Sequence, residues 1–306
     1  MKPLALLLAA ASLSSATTYY VTVAGLGGEQ EFQQRFEGWA KEIDGLVKAQ
    51  SDAQVRTLYG ADATRAKLES TLRAIAAEAK HDDALVFMLI GHGTFDGTDY
   101  KFNLPGPDVT ASQLSELLDR IPAARQLVVN MTSCSGSSLK VLRRPGRVVV
   151  TATKTGTERN ATIFARYWVE ALRDPAADSD KNETVSALEA YKYAEQKTAQ
   201  FYESQKRLAT EHALLEDTGN GDGVRTPSPQ NGEGLAAAQF ALVRMSAAQN
   251  LSKDPAKLTL LKQRESLEAK IDQLKYVKAS LSEEEYKKQL RDLVTQLAKV
   301  QAELDK

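Results

Sequence analysis

Cys134, the only cysteine in the chain, closes the apolar run Leu127-Val128-Val129-Asn130-Met131-Thr132-Ser133 and is followed by Ser135-Gly136-Ser137-Ser138. His92 closes a second run, Leu85-Val86-Phe87-Met88-Leu89-Ile90-Gly91, and is followed by Gly93. A thiol attacks a carbonyl well only as thiolate, and an adjacent imidazole favours that form. Gly91 and Gly93 permit tight turns and close approach of a substrate. The Gly93 N–H, with that of Cys134, is suited to meet a developing oxyanion. The small residues after Cys134 fit a tight turn into a helix, whose N-terminus would further favour the thiolate. A lone cysteine in an apolar strand is ordinary core material. A histidine and a cysteine at matching strand ends read instead as base and nucleophile.

The elements that must hold this pair follow from periodicity. Residues 18–26 (TYYVTVAGL) are β-branched and aromatic and end at Gly27-Gly28, a strand and a turn. Residues 29–49 carry Phe32, Phe36, Trp39, Ile43 and Val47 at helical spacing. Residues 55–59 read as a short strand and 64–80 as a helix. Residues 110–118 read as a helix capped by Thr110. Residues 147–153 form a further strand, and 161–173 and 183–208 further helices. Residues 217–234, rich in Gly, Pro, Asn and Asp, form a loop. Residues 235–244 fit a strand or a helix. Alternating strands and helices predict an α/β sandwich with a mostly parallel central sheet. Sites in such sheets lie beyond the carboxyl ends of the strands, where His92 and Cys134 fall.

Length and composition set the frame. The 306 residues suffice for one large domain and an appendage. One cysteine excludes an internal disulfide and a Cys–His zinc cluster. A net charge of −1 and pI near 6.4 give no general pull toward nucleic acid or an anionic membrane. Lys2, the apolar stretch 4–11 and Ser14-Ser15-Ala16 have the pattern of a signal peptide over residues 1–16, which predicts export to the periplasm or the extracellular space. No other stretch is long and apolar enough to span a bilayer. The main domain is then 17–249. Residues 250–306 carry Leu260, Leu267, Leu274 and Leu281 every seven residues and a capping signature at Ser282-Glu283-Glu284-Glu285. They predict a helical hairpin or coiled coil, independent of catalysis and able to mediate self-association or bind a partner.

A second constellation is Asp178-Ser179-Asp180-Lys181-Asn182-Glu183-Thr184-Val185-Ser186-Ala187-Leu188-Glu189. It matches the twelve-residue calcium loop through Asp178, Asp180, Asn182, Thr184, Ser186 and Glu189, with Glu183 where glycine is usual. The expectation is a structural Ca²⁺ site, with no cofactor required for catalysis. The alternative is an acidic turn that caps the following helix.

Apolar block–His–Gly followed by apolar block–small residue–Cys–x–Gly resembles the caspase-like clan of cysteine peptidases, more closely its legumain-type branch, and 151–162 is similar to bacterial members. The spacing is near the roughly 50 residues between histidine and cysteine in caspases. The resemblance covers about residues 18–245. It implies a caspase-like three-layer fold and peptide hydrolysis through an acyl-enzyme. Cys134 would be the nucleophile, His92 the general base and acid, and Gly93 an oxyanion donor. Substrate contacts are implied beside the nucleophile and on the next strand, at Ser133, Thr151 and Thr153. Legumains often place an asparagine after the first strand to orient the histidine; here that turn is Gly27-Gly28-Glu29. The expected function is an exported cysteine endopeptidase acting on a peptide or protein substrate. The alternatives are a catalytically silent scaffold that binds a partner through its coiled coil, and a peptide ligase using the same acyl-enzyme.

Overall fold

Near-continuous apolar runs bury both their faces only inside a sheet covered by helices on both sides, and the chain is arranged so. The computed structural model describes residues 16–306. The expected signal segment, apart from Ala16, lies outside them. β1 (Thr18–Ala24) leads through α1 (Gln30–Lys48) to β2 (Ala53–Leu58), α2 (Arg65–Glu78) and β3 (Ala84–Gly91). Short strands β4 (Gly93–Phe95), β5 (Tyr100–Phe102) and β6 (Val109–Thr110) precede α3 (Ala111–Asp119), β7 (Arg125–Thr132), α4 (Leu139–Leu142), β8 (Arg147–Thr151) and α5 (Phe164–Ala171). β9 (Thr184–Ser186) opens α6 (Ala187–Ser204). Then come β10 (Leu214–Glu216), α7 (Leu235–Ala238), β11 (Ala241–Arg244), α8 (Ser246–Leu251), α9 (Pro255–Tyr276) and α10 (Glu283–Leu304).

Six strands make the central sheet in the order β10-β8-β7-β3-β1-β2, all parallel except β10 at one edge. Side chains alternate across it, as a pleated strand requires. Val86, Met88 and Ile90 of β3 pack with Phe36 and Ile43 of α1 and Trp168 of α5. Leu85, Phe87 and Leu89 pack with Leu72 of α2 and Leu114 of α3 on the other face. The result is an α/β three-layer sandwich with C-terminal helices appended. Thr110 caps α3 in a full capping box with Gln113, which fixes where the chain turns back toward β7.

One of these expectations needs correction, and another, left open, is decided. Residues 183–186 are not helical: Val185 pairs with Val243 in the β9–β11 ribbon, and Ser186 starts α6 as its cap. Residues 235–244 are helix and then strand, α7 followed by β11. The tail is a helical pair, and its first helix, α9, packs on the main domain. Arg244 of β11 bonds Glu265 of α9 (2.7 Å), Tyr276 donates to the Glu233 carbonyl (2.9 Å), and Gln239 donates to the Ala269 carbonyl (2.9 Å). Among the described residues, no helix is long and apolar enough to cross a membrane.

Candidate active site

β3 and β7 are neighbours, parallel, and in register to their last residues, with Gly91 opposite Thr132. His92 and Cys134 therefore emerge from the same edge of the sheet on adjacent strands. Ser133 ties the two chain ends together. Its Oγ accepts from Gly93 N–H (3.1 Å) and donates to the Gly93 carbonyl (3.0 Å). A Cβ on Gly93 would lie 2.4 Å from the Ser133 carbonyl and 2.6 Å from the Tyr100 ring, so only glycine lets the strands close here.

The His92 ring stands edge-on to Phe32 and Phe36 of α1, with centroids 4.9 and 5.1 Å away. Burial pulls the imidazole below its ordinary pKa, against a hydrogen bond with the Gly27 backbone and the charge of Glu29. The Gly27 turn thus orients the histidine at the place where the family resemblance leads one to look for an asparagine side chain. The turn was visible in the sequence; that its carbonyl would serve was not.

Cys134 is held in the left-handed region, with φ 58° and ψ 5°. A non-glycine residue there is uncommon, and such residues cluster at functional sites. A network beneath the turn over-determines it. Tyr100 Oη, Thr132 Oγ1 and Asn130 Oδ1 form a triangle (2.7, 2.8 and 3.1 Å) that shares the two hydroxyl protons, and Asn130 Nδ2 donates to Ser138 Oγ (3.0 Å). From the next strand Thr153 Oγ1 accepts from Gly136 N–H (2.9 Å) and Ser135 Oγ accepts from Thr153 N–H (3.1 Å). Thr151 Oγ1 donates to the Thr153 carbonyl (2.9 Å). Ser133, Thr151 and Thr153 are all buried. Their hydroxyls bond within the protein around the Cys134 turn.

The thiol is buried, 2 % exposed. Burial pushes its pKa up, opposed by the Arg159 charge and a backbone hydrogen bond from Phe95. The helix after it is only a short 3-10 turn (Ser135–Ser138) and four residues of α4, so helix polarity does not reverse the effect of burial. Cys134 packs in the core cluster on the α2–α3 face, whereas His92 leans on α1. Among the described residues no hydrogen bond joins thiol and imidazole. Both expected oxyanion donors are engaged: Gly93 N–H with Ser133 Oγ, and Cys134 N–H with the Glu158 carbonyl (2.8 Å). Glu158 also accepts from Lys154 N–H (2.7 Å) and pairs with His212 Nδ1. The loop carrying Glu158 and Arg159 meets the β4 hairpin where the Phe95 ring lies against Gly156; a Cβ on Gly156 would fall 2.2 Å from that ring. Glu158, Arg159 and Phe95 escaped the sequence reading because only their tertiary position brings them to Cys134.

The expected metal ligands lie elsewhere, in the loop before α6. One oxygen each of Asp178, Asp180 and Glu189 lie within 4.8 Å of one another. Asn182 and Thr184 belong to the same loop.

No protein-family model matches the chain, and no curated protein matches it. Among solved structures it is similar to the initiator caspase Dronc of Drosophila, with 11 % identity, 68 % of this chain and 82 % of that chain covered, and a TM-score of 0.44. It is also similar to a protein from Geobacter sulfurreducens, with 13 % identity, 70 % and 95 % covered, and a TM-score of 0.42. The third is Raptor of Chaetomium thermophilum, with 10 % identity, 51 % and 17 % covered, and a TM-score of 0.36.

Proposed function

We propose that this chain is a cysteine endopeptidase of caspase-like type, with Cys134 as nucleophile and His92 as base. One observation carries the reading: the two residues leave adjacent, parallel, in-register strands at the carboxyl edge of the sheet, where an open α/β sheet places its ligands. The left-handed backbone of Cys134 supports it further. In this chemistry His92 takes the thiol proton as Sγ attacks the scissile carbonyl, and the imidazolium returns that proton to the leaving amine. The resulting thioester is then opened by water, whose proton passes to His92 and on to the departing Sγ. For Gly93 N–H to bind the oxyanion, Ser133 Oγ must release it. Secretion, and a legumain-type rather than another branch, remain expectations of the sequence that belong to this proposal.

A second reading, the silent scaffold, is favoured by the burial of the thiol and by the engaged N–H groups. A peptidyl electrophile, read by mass spectrometry of the intact protein, separates the two. The peptidase should gain one adduct at Cys134 at neutral pH, and His92→Ala should slow the adduct at least ten-fold. A folded protein whose Cys134 stays unmodified across peptide sequences, or labels equally in His92→Ala, is a scaffold.

A further inference from the structure

Residues 178–189 fold into a loop that peptide hydrolysis does not use. Asp178 Oδ1 and Oδ2 accept from the N–H groups of Asn182 (3.1 Å) and Glu183 (3.0 Å), and Asn182 Oδ1 accepts from Thr184 N–H (2.8 Å). Glu183, sixth in the loop, takes φ 61°, the left-handed conformation that the usual glycine supplies. The substitution that breaks the sequence pattern therefore leaves the backbone path intact. Ser186, ninth, caps α6, and Glu189, twelfth, lies in its first turn. Calcium holds its oxygens at 2.3–2.6 Å, so opposed ligands stand about 5 Å apart. One carboxylate oxygen each of Asp178, Asp180 and Glu189 lie within 4.8 Å of one another, a separation that fits such a sphere.

An acidic cluster of this kind also occurs as a plain helix cap, and a further observation points to a ligand. Thr184 is 4 % exposed, and its Oγ1 has no hydrogen-bond partner among the described residues. It lines a cavity of about 230 Å³ together with Asp180, Asn182, Glu189 and, from α9, Glu268. Lys192 and Lys275 also line that cavity.

We propose that this loop is a Ca²⁺ site, with oxygens of Asp178, Asp180, Asn182, Thr184 and Glu189 as ligands, and that the ion fastens α9 to the domain through Glu268. Asn182 Nδ2 already reaches Glu268 (3.1 Å), which links loop and helix. Hard oxygen donors without sulfur or imidazole select calcium over a softer metal. A ligand bound only by the folded state raises its melting temperature. The full-length protein, stripped with a chelator, is melted with and without added CaCl₂, and the same sample is titrated calorimetrically. The parent should gain roughly 5 °C or more when Ca²⁺ stands a hundred-fold above its Kd. Glu189→Gln keeps a residue able to complete the capping box but loses the carboxylate. It also loses an acceptor for the Ser179 and Asp180 N–H groups, so its shift is read against its own melting temperature in chelator; it should lose most of the calcium shift, and Asp180→Ala should lose the shift as well. A parent unmoved by millimolar Ca²⁺ with no binding heat, or a Glu189→Gln variant that keeps the full shift, makes the loop an acidic helix cap only.

Discussion

Burial shifts Cys134 and His92 in opposite directions with one chemical result. The thiol rises and the imidazole falls, so both favour their neutral forms at neutral pH. A preformed thiolate–imidazolium pair would show the reverse, because each ion holds the other charged. On the proposed mechanism, proton transfer must therefore accompany attack, or a substrate must first draw Sγ and the ring together. We expect alkylation of Cys134 by iodoacetamide in the folded protein to be slow at pH 7 and to climb past the ordinary thiol range, about pH 8.5, without an earlier plateau. Arg159 lowers the thiol pKa, so Arg159→Ala should move the profile further upward. A plateau near pH 6 in the measured rates would mean that the ion pair exists at rest.

The strands deliver the two residues, and their spacing depends on what fits between the ends of β3 and β7. Gly93→Ala would place a methyl against the Ser133 carbonyl and the Tyr100 ring. Overpacking of this kind costs about 1–3 kcal/mol. We expect a lowered urea midpoint with loss of electrophile labelling, and a variant as stable and reactive as the parent would show that the junction yields easily. The same contrast between local pattern and tertiary contact marks what the sequence could tell. The apolar runs of β3 and β7 announce buried strands, and Thr110 announces α3, because those signals are local. β4, β5 and β6 have only two or three residues each, too few for a period to appear. Val185 looks helical until Val243 pairs with it across the chain. Thr151 and Thr153 lie close to Cys134, but the bonds of their hydroxyls to the Thr153 carbonyl and to Ser135 are invisible in the sequence.

Across the whole molecule, α9 is joined to the sandwich by charge rather than by an apolar seam alone. Arg244 is 7 % exposed and lies between Asp52 (3.1 Å) after α1 and Glu265 (2.7 Å) on α9, and Lys262 also reaches Asp52 (3.2 Å). Burial alone would raise Asp52; Arg244 and Lys262 outweigh it and hold the carboxyl below its ordinary value. Replacing such a buried group with one of the same shape but no charge can be nearly neutral, whereas removing one partner strands the others in low dielectric. Arg244→Ala should therefore destabilise by about 3–5 kcal/mol in urea titrations. The second tail helix differs, since α10 meets the molecule mainly through α9, packing Val300 and Leu304 against Leu261 and Leu267. Deletion of residues 282–306 should cost less than deletion of 254–306, which also uncovers Arg244 and Gln239. If the two deletions melt alike and Arg244→Ala matches the parent, α9 rests on the domain without bracing it, and the tail is free to exchange this contact for a partner.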